Sequence, residues 1–211
     1  VYPGGKVDSD DEGFDALCSG IDDAEASSRV RVDAGGLKYW VAVIRECYEE
    51  AGVLLAERDG APFEYASDAE RARFRLARQD LIDGTLKFSD FVTSEGLRLA
   101  THRVQYLSHW ITPEGAPARF DTRFFVAGMP EGQTTDRHES EVVSGDWVTP
   151  KAALEHHEAG RWQMIYPTFT NLGSVAGYAR VDEMIDAVVA RRHVGEITTE
   201  LHRQGMQYDS K

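Results

Sequence analysis

The sequence predicts an α+β protein in which a mixed β-sheet is sandwiched between α-helices. Segments of helical period and segments of strand period are both present. They do not follow one another in regular β-α-β alternation, which argues against a purely parallel sheet. The chain has 211 residues, 42 % of them hydrophobic, enough to bury one sizeable core.

Taken in order, residues Val1 to Asp8 read as the end of a strand running into a glycine turn. Ser9 to Gly36 is rich in Asp, Ser, Gly and Ala, and reads as an acidic loop with one short helix. Leu37 to Ala51 is predicted helical: Val41, Ile44 and Tyr48 keep three- and four-residue spacing, and Gly52 stands where a helix end favours glycine. Val53 to Ala56 is an apolar run consistent with a buried strand. Ser67 is a fitting N-cap for a helix reaching Asp83, with Phe74, Leu76 and Leu81 among its apolar positions, and Phe88 to Leu97 gives a further helix. Strands are then expected over Thr101–Thr112, Phe120–Ala127 and Glu141–Val148, with proline and glycine turns between them. Helices are expected from Pro150 to His157 and from Asn171 to Arg192.

A formal net charge of −13, from 23 basic and 36 acidic residues, disfavours nucleic-acid backbones and anionic membranes as partners. No run approaches the roughly 18 to 20 apolar residues of a membrane-spanning helix, and no signal-peptide pattern is visible in a chain that starts at Val1. Cys18 and Cys47 form neither a disulfide framework nor a metal-ligand spacing, which fits a reducing, cytoplasmic setting. Adjacent His156 and His157 diverge on a helix and read as a surface helix end. Trp40, Trp110, Trp147 and Trp162 read as core residues, while Tyr39 or Phe124 could stack on a base.

The stretch carrying chemistry is Arg45-Glu46-Cys47-Tyr48-Glu49-Glu50-Ala51-Gly52-Val53. On a helix, Glu46 lies three and four residues from Glu49 and Glu50, so the three carboxylates can converge. Close like charges raise one another's pKa values, and the negative end of the helix dipole adds to the strain. A cation offsets both. Hard oxygen donors of this kind suit Mg²⁺ or Mn²⁺ shared with substrate phosphates.

This string resembles the second half of the Nudix box, with Cys47 filling an apolar slot, and Pro3-Gly4-Gly5-Lys6-Val7 resembles the glycine loop that opens the box. The resemblance implies a Nudix fold, a divalent metal (Mg²⁺ or Mn²⁺), and hydrolysis of a nucleoside diphosphate linked to another moiety. It makes Glu46, Glu49 and Glu50 metal-binding carboxylates, gives Gly5 a ligating backbone carbonyl, and has Arg45 orient a glutamate of the cluster. The family places a glutamate six residues after the glycine matching Gly5; Asp11 stands there, and Asp10 or Glu12 are open alternatives. The box arginine, expected at position 19, stands at 45, so the box is split by 26 residues.

Arg119 to Val126 resembles the strand that crosses the substrate cleft, placing Arg123 and Phe124 as substrate-binding residues. Glu141, six residues before Trp147, matches a glutamate found near the metal in several branches; Glu46, Glu50 or Glu141 would activate the attacking water. The split box, a helical insert, the Trp147-Val148-Thr149-Pro150 turn and Tyr166-Pro167-Thr168 resemble the peroxisomal coenzyme A diphosphatase-like branch and its bacterial relatives. That resemblance implies coenzyme A or acyl-coenzyme A as substrate, with ADP-ribose, nucleotide sugars and dinucleotides open. The expectation is one Nudix domain over residues 1–211, with insertions at about 9–36 and 62–100 and strands lying upstream of Val1. A sheet edge left exposed by those strands would favour a homodimer. The rival reading is a Nudix-fold module that senses a nucleotide without turning it over.

Overall fold

The computed structural model describes residues 2–112, 118–136 and 147–191. These fall into two compact units, one built from Tyr2–Val104 with Met129–Ser144, the other from Gln105–Gly128 with Gly145–Lys211.

In the first unit, Tyr2 to Val7 is irregular chain, and Asp8 caps a 3-10 turn over Ser9–Asp11. The expected strand end is therefore a loop, whose glycines are spent on close approach to a helix. A second 3-10 turn, Asp15–Leu17, leads into β1 (Cys18–Ser19), and helix α1 (Asp23–Val30) follows. Helix α2 runs Leu37–Ala51 and ends at Gly52 in the left-handed conformation, φ 69°, which costs glycine nothing. Its apolar stripe is spent in the core: Trp40, Val41, Ile44 and Tyr48 are buried, and the Trp40 indole donates to the Val104 carbonyl at 2.9 Å.

The apolar run after α2 is buried, but its strand starts late, as β2 (Ala56–Arg58). Leu54 takes its hydrogen bonds from a side chain: buried Gln133 accepts from the Leu54 N–H and donates to the Leu54 carbonyl, both at 2.9 Å. An amide standing in for a neighbouring strand satisfies backbone groups that would be costly to bury unpaired. β2 turns through Asp59-Gly60, both at positive φ, into β3 (Ala61–Pro62).

Helix α3 is Asp68–Ile82, with Ser67 accepting from the Glu70 N–H, and α4 is Phe88–Ser94. The helix expected to reach Leu97 stops at Ser94, and β4 (Leu97–Ala100), a strand not expected, follows. It is the middle of the sheet, which runs β1-β4-β2-β3. β1 lies parallel to β4 and β2 antiparallel, so the sheet is mixed as expected. Phe63, Phe74, Phe88 and Phe91 form a continuous aromatic cluster with Tyr48, whose hydroxyl donates to the Phe74 carbonyl at 2.7 Å.

In the second unit, β5 (Val104–Ile111) pairs with β6 (Asp121–Ala127). Residues 101–103, expected in this strand, form a 3-10 turn before it. Helix α5 (Pro150–Glu158) is capped by Thr149 and packs on α6 (Tyr166–Val175). The single helix expected over Asn171–Arg192 is broken near Gly177, giving α6 and then α7 (Val181–Val189). Leu107, Val175 and Val188 form this unit's core. Of the strand expected over Glu141–Val148, residues 141–146 lie outside the described residues, and 147–148 are irregular. No helix among the described residues is long and apolar enough to cross a membrane.

Candidate functional site

Helix α2 carries Arg45, Glu46, Glu49 and Glu50 on its last turns, where they meet the loop at residues 4–11. Arg45 is the hub. Its Nη1 donates to Glu46 Oε1 at 2.8 Å and Glu49 Oε2 at 3.2 Å, so one nitrogen holds both carboxylates. Its Nε and Nη2 grip Asp11 in a two-pronged pair at 2.8 and 3.0 Å, and Nη2 also reaches the Lys6 carbonyl at 3.0 Å. A fork of this kind fixes direction as well as charge. Of the acidic residues left open for the box's missing glutamate, Asp11 takes the place beside the arginine. Asp10 and Glu12 instead pair with Lys87 and Lys38 at the surface.

The glycine loop is held against the same helix. Gly4 N–H donates to Glu50 Oε2 at 3.1 Å. A Cβ on Gly5 would sit 2.4 Å from Glu46 Oε1, so only glycine lets the loop backbone lie against that carboxylate. Asp11 also accepts from the Asp8 N–H at 2.7 Å, which closes a reciprocal cap on the 3-10 turn and fixes its own carboxylate toward Arg45.

The residues that split the box serve the same helix from its other end. Asp23 of α1 accepts from the Leu37 and Gly35 N–H groups, each at 2.9 Å, and so caps α2 from a distant segment. These bonds hold the Asp23 carboxyl below the usual carboxylate range. Gly36 packs directly on the α1 backbone: a Cβ there would lie 2.3 Å from the Ser27 nitrogen. The insertion is thus docked as an N-terminal brace for α2. In sequence this segment reads as a loop with one short helix, because its capping contacts span up to 14 residues.

The electrostatics are unbalanced. Asp11, Glu46 and Glu49 face one guanidinium, and Glu50 adds further negative charge. Burial would depress the Arg45 pKa, yet the carboxylates of Asp11, Glu46 and Glu49 more than offset it and hold it above its ordinary value. Burial raises the Glu49 carboxyl; Arg45 opposes this, and Glu46 pushes it further up. Such a set of hard oxygens with surplus negative charge, against a backbone cradle at Gly5, fits a divalent cation in its chemistry. Among the described residues, no three Asp, Glu, His or Cys side chains stand in ready ligating geometry, since Arg45 lies between Glu46 and Glu49.

Other expected residues lie elsewhere. Glu141 is outside the described residues. Arg123 and Phe124 lie on β6 in the second unit. There Arg123 Nη1 donates to Asp121 at 3.0 Å, and Phe124 packs against the Leu107–Val175–Val188 core. His156 stacks on Trp162 and His157 on Phe169, so the pair diverges. Trp147 stands 78 % exposed, against the core position expected of it, because it lies in irregular chain ahead of the Thr149 cap. Asp23 and Gly36 were missed; the only sequence signal was an uncapped start at Leu37.

A family model described as the NUDT19 Nudix domain matches residues 22–175. Acyl-coenzyme A diphosphatase NUDT19 of Xenopus laevis is 23 % identical over 90 % of this chain and 59 % of its own length. Putative nudix hydrolase 7 of Caenorhabditis elegans is 25 % identical over 79 % of this chain and 46 % of its own length. The chain thus spans about half the length of the curated relatives it matches. A crystal structure of a NUDIX hydrolase from Alicyclobacillus acidocaldarius superposes with TM-score 0.68 at 22 % identity, over 88 % of this chain and 79 % of that one. It shares the fold.

Proposed function

The chain belongs to the NUDT19 Nudix domain family, and from that premise we propose that it is a hydrolase of a diphosphate linkage. Water would cleave X-diphosphate-Y into two monophosphates. The observation that carries the reading is the hub itself: Arg45 clamped by Asp11 holds Glu46 and Glu49 while Glu50 engages the glycine loop. Nudix hydrolases generally use divalent metals. Mg²⁺ or Mn²⁺ is the proposed ion here, with Glu46, Glu49, Glu50 and the Gly5 carbonyl as the groups that would hold it. Its chemistry when bound is to neutralise phosphate oxygens, which a chain of net charge −13 otherwise repels.

Glu46, Glu50 or Glu141 would take the proton from the attacking water. Arg45 is a positioning residue: it fixes the direction of two carboxylates without being the base. Arg123 and Phe124 are the proposed substrate contacts. The likeness to the acyl-coenzyme A diphosphatase of Xenopus laevis supports coenzyme A or acyl-coenzyme A as the substrate class. We read residues 1–211 as one Nudix domain with its insertions. The free thiols Cys18 and Cys47 support a reducing compartment such as the cytoplasm. A homodimer is tested by light scattering.

The experiment is hydrolysis over a panel of coenzyme A, acyl-coenzyme A, ADP-ribose, nucleotide sugars and dinucleotides, with Mg²⁺, Mn²⁺ or chelator. Metal-dependent cleavage of one class is expected, with Glu50→Gln lowering turnover by about 10²-fold or more while leaving the fold intact. Tight ligand binding without turnover in any metal would overturn the reading in favour of a sensor module.

A further inference from the structure

At the C-terminal end of α2 the first unit holds a second polar feature, whose side chains make none of the contacts of the carboxylate hub. A cleft of about 50 Å³ is lined by Gly52, Tyr65, Arg71, Arg75, Arg78 and Asp136 among others. Three of these side chains are guanidiniums and one is a carboxylate, in a chain whose net charge is −13. Asp136 does not balance them. It accepts from Arg75 Nε at 3.1 Å and lies 3.8 Å from Arg78 Nη1. Arg71 makes no ion pair among the described residues; it lies over the Tyr65 ring, 4.4 Å from its centre.

Arg78 is the anomaly. Its side chain is 7 % exposed, and its Nε donates to the Glu49 carbonyl at 2.9 Å. Its Nη2 is buried with no hydrogen-bond partner among the described residues. A buried charged donor without an acceptor is among the costliest arrangements a core can hold. The cleft beside it offers room for an acceptor. At roughly 10–15 Å³ of such space per water, the cleft has room for a few waters or one tetrahedral oxyanion.

We propose that this cleft binds a single phosphate group, held by Arg71, Arg75 and Arg78. Phosphate is favoured over carboxylate because separated guanidiniums match a doubly charged group with several free oxygens. Asp136 is the built-in competitor, holding Arg75 when the cleft has no anion. The site stands whether or not the carboxylate hub hydrolyses a diphosphate.

The test is calorimetric titration of the full chain with inorganic phosphate, with chelator present so that metal at the carboxylate hub contributes nothing. One equivalent should bind, and acetate should bind about tenfold more weakly or worse. The Arg71→Gln/Arg75→Gln double variant, altering side chains outside the core, should lose about tenfold or more in phosphate affinity. Asp136→Asn should gain affinity several-fold, an opposite sign that general damage to the fold cannot mimic. A simple phosphate monoester binding as well as inorganic phosphate identifies a terminal phosphate as the ligand; preference for the inorganic ion identifies the free anion. Absence of binding at millimolar phosphate, or affinity unchanged in both variants, overturns the proposal.

Discussion

Asp11→Asn is the substitution that most directly tests the hub. Asp11 is 1 % exposed and accepts three hydrogen bonds: Arg45 Nε at 2.8 Å, Arg45 Nη2 at 3.0 Å and Asp8 N–H at 2.7 Å. Asparagine keeps the shape but removes the charge and turns one terminal oxygen into a donor. Whichever way the amide faces, a guanidinium N–H then meets an N–H. Hydrogen bonds to charged groups contribute about 1.5–3 kcal/mol each. Glu46 and Glu49 still hold Nη1, so the arginine is not stranded, and the net loss should be about 2–3 kcal/mol. Urea unfolding at constant slope measures it. In the proposed hydrolase, turnover should fall by about 10- to 100-fold, because the groups that aim the carboxylates are loosened. The controls are Asp10→Asn and Glu12→Gln, side chains 53 % and 63 % exposed on surface lysine pairs, which should each cost less than about 0.5 kcal/mol. Asp11→Asn as stable as the parent, or either control as costly as Asp11→Asn, would refute the assignment of Asp11 as the clamp.

Gly36→Ala should destabilise the fold by about 1–3 kcal/mol, since the new methyl meets α1 backbone that no rotamer change can move aside; thermal unfolding reads this, and an unshifted midpoint counts against a docked insertion. Asp23→Ala should cost about 1 kcal/mol at neutral pH as a lost helix cap. The Asp23 pKa is depressed in the folded state, so its contribution is present above the unfolded value of about 3.9 and fades as pH falls through the folded value. The gap between parent and variant should therefore close in acid; a gap independent of pH would show that the carboxylate is not the cap. Burial pushes the Cys18 thiol up to about 12 and the Cys47 thiol up to about 11, so neither should be labelled quickly by a disulfide reagent in the native protein at neutral pH. Rapid labelling of either would refute that.

Much of this protein was legible wherever local physics decides the outcome. The α2 helix, its glycine end, the Ser67 cap and the Thr149–Pro150 helix start are set within a few residues, and each was read at or near its observed boundary. The box residues were recognisable because their spacing on one helix is itself the geometry. The strands fared worse. β4 follows a helix without a proline break, and its place in the sheet rests on pairings to residues about 40 and 80 positions away. The Leu54 run was read as a strand on its apolar character, but Gln133 supplies its partner, a side chain 79 residues on.

By itself, the sequence determined which residues carry the charge, that they share a helix, and the family they belong to. Only the tertiary structure decided that Asp11, rather than Asp10 or Glu12, clamps Arg45. It alone showed that Asp23 and Gly36 of the insertion brace the start of the same helix, and that Arg78 is buried with a donor that no described residue accepts. The physical reason is plainest at Asp11. Adjacent acidic residues have nearly the same local propensities, and what separates them is which one is withdrawn from water to face a cation folded back from 34 residues away.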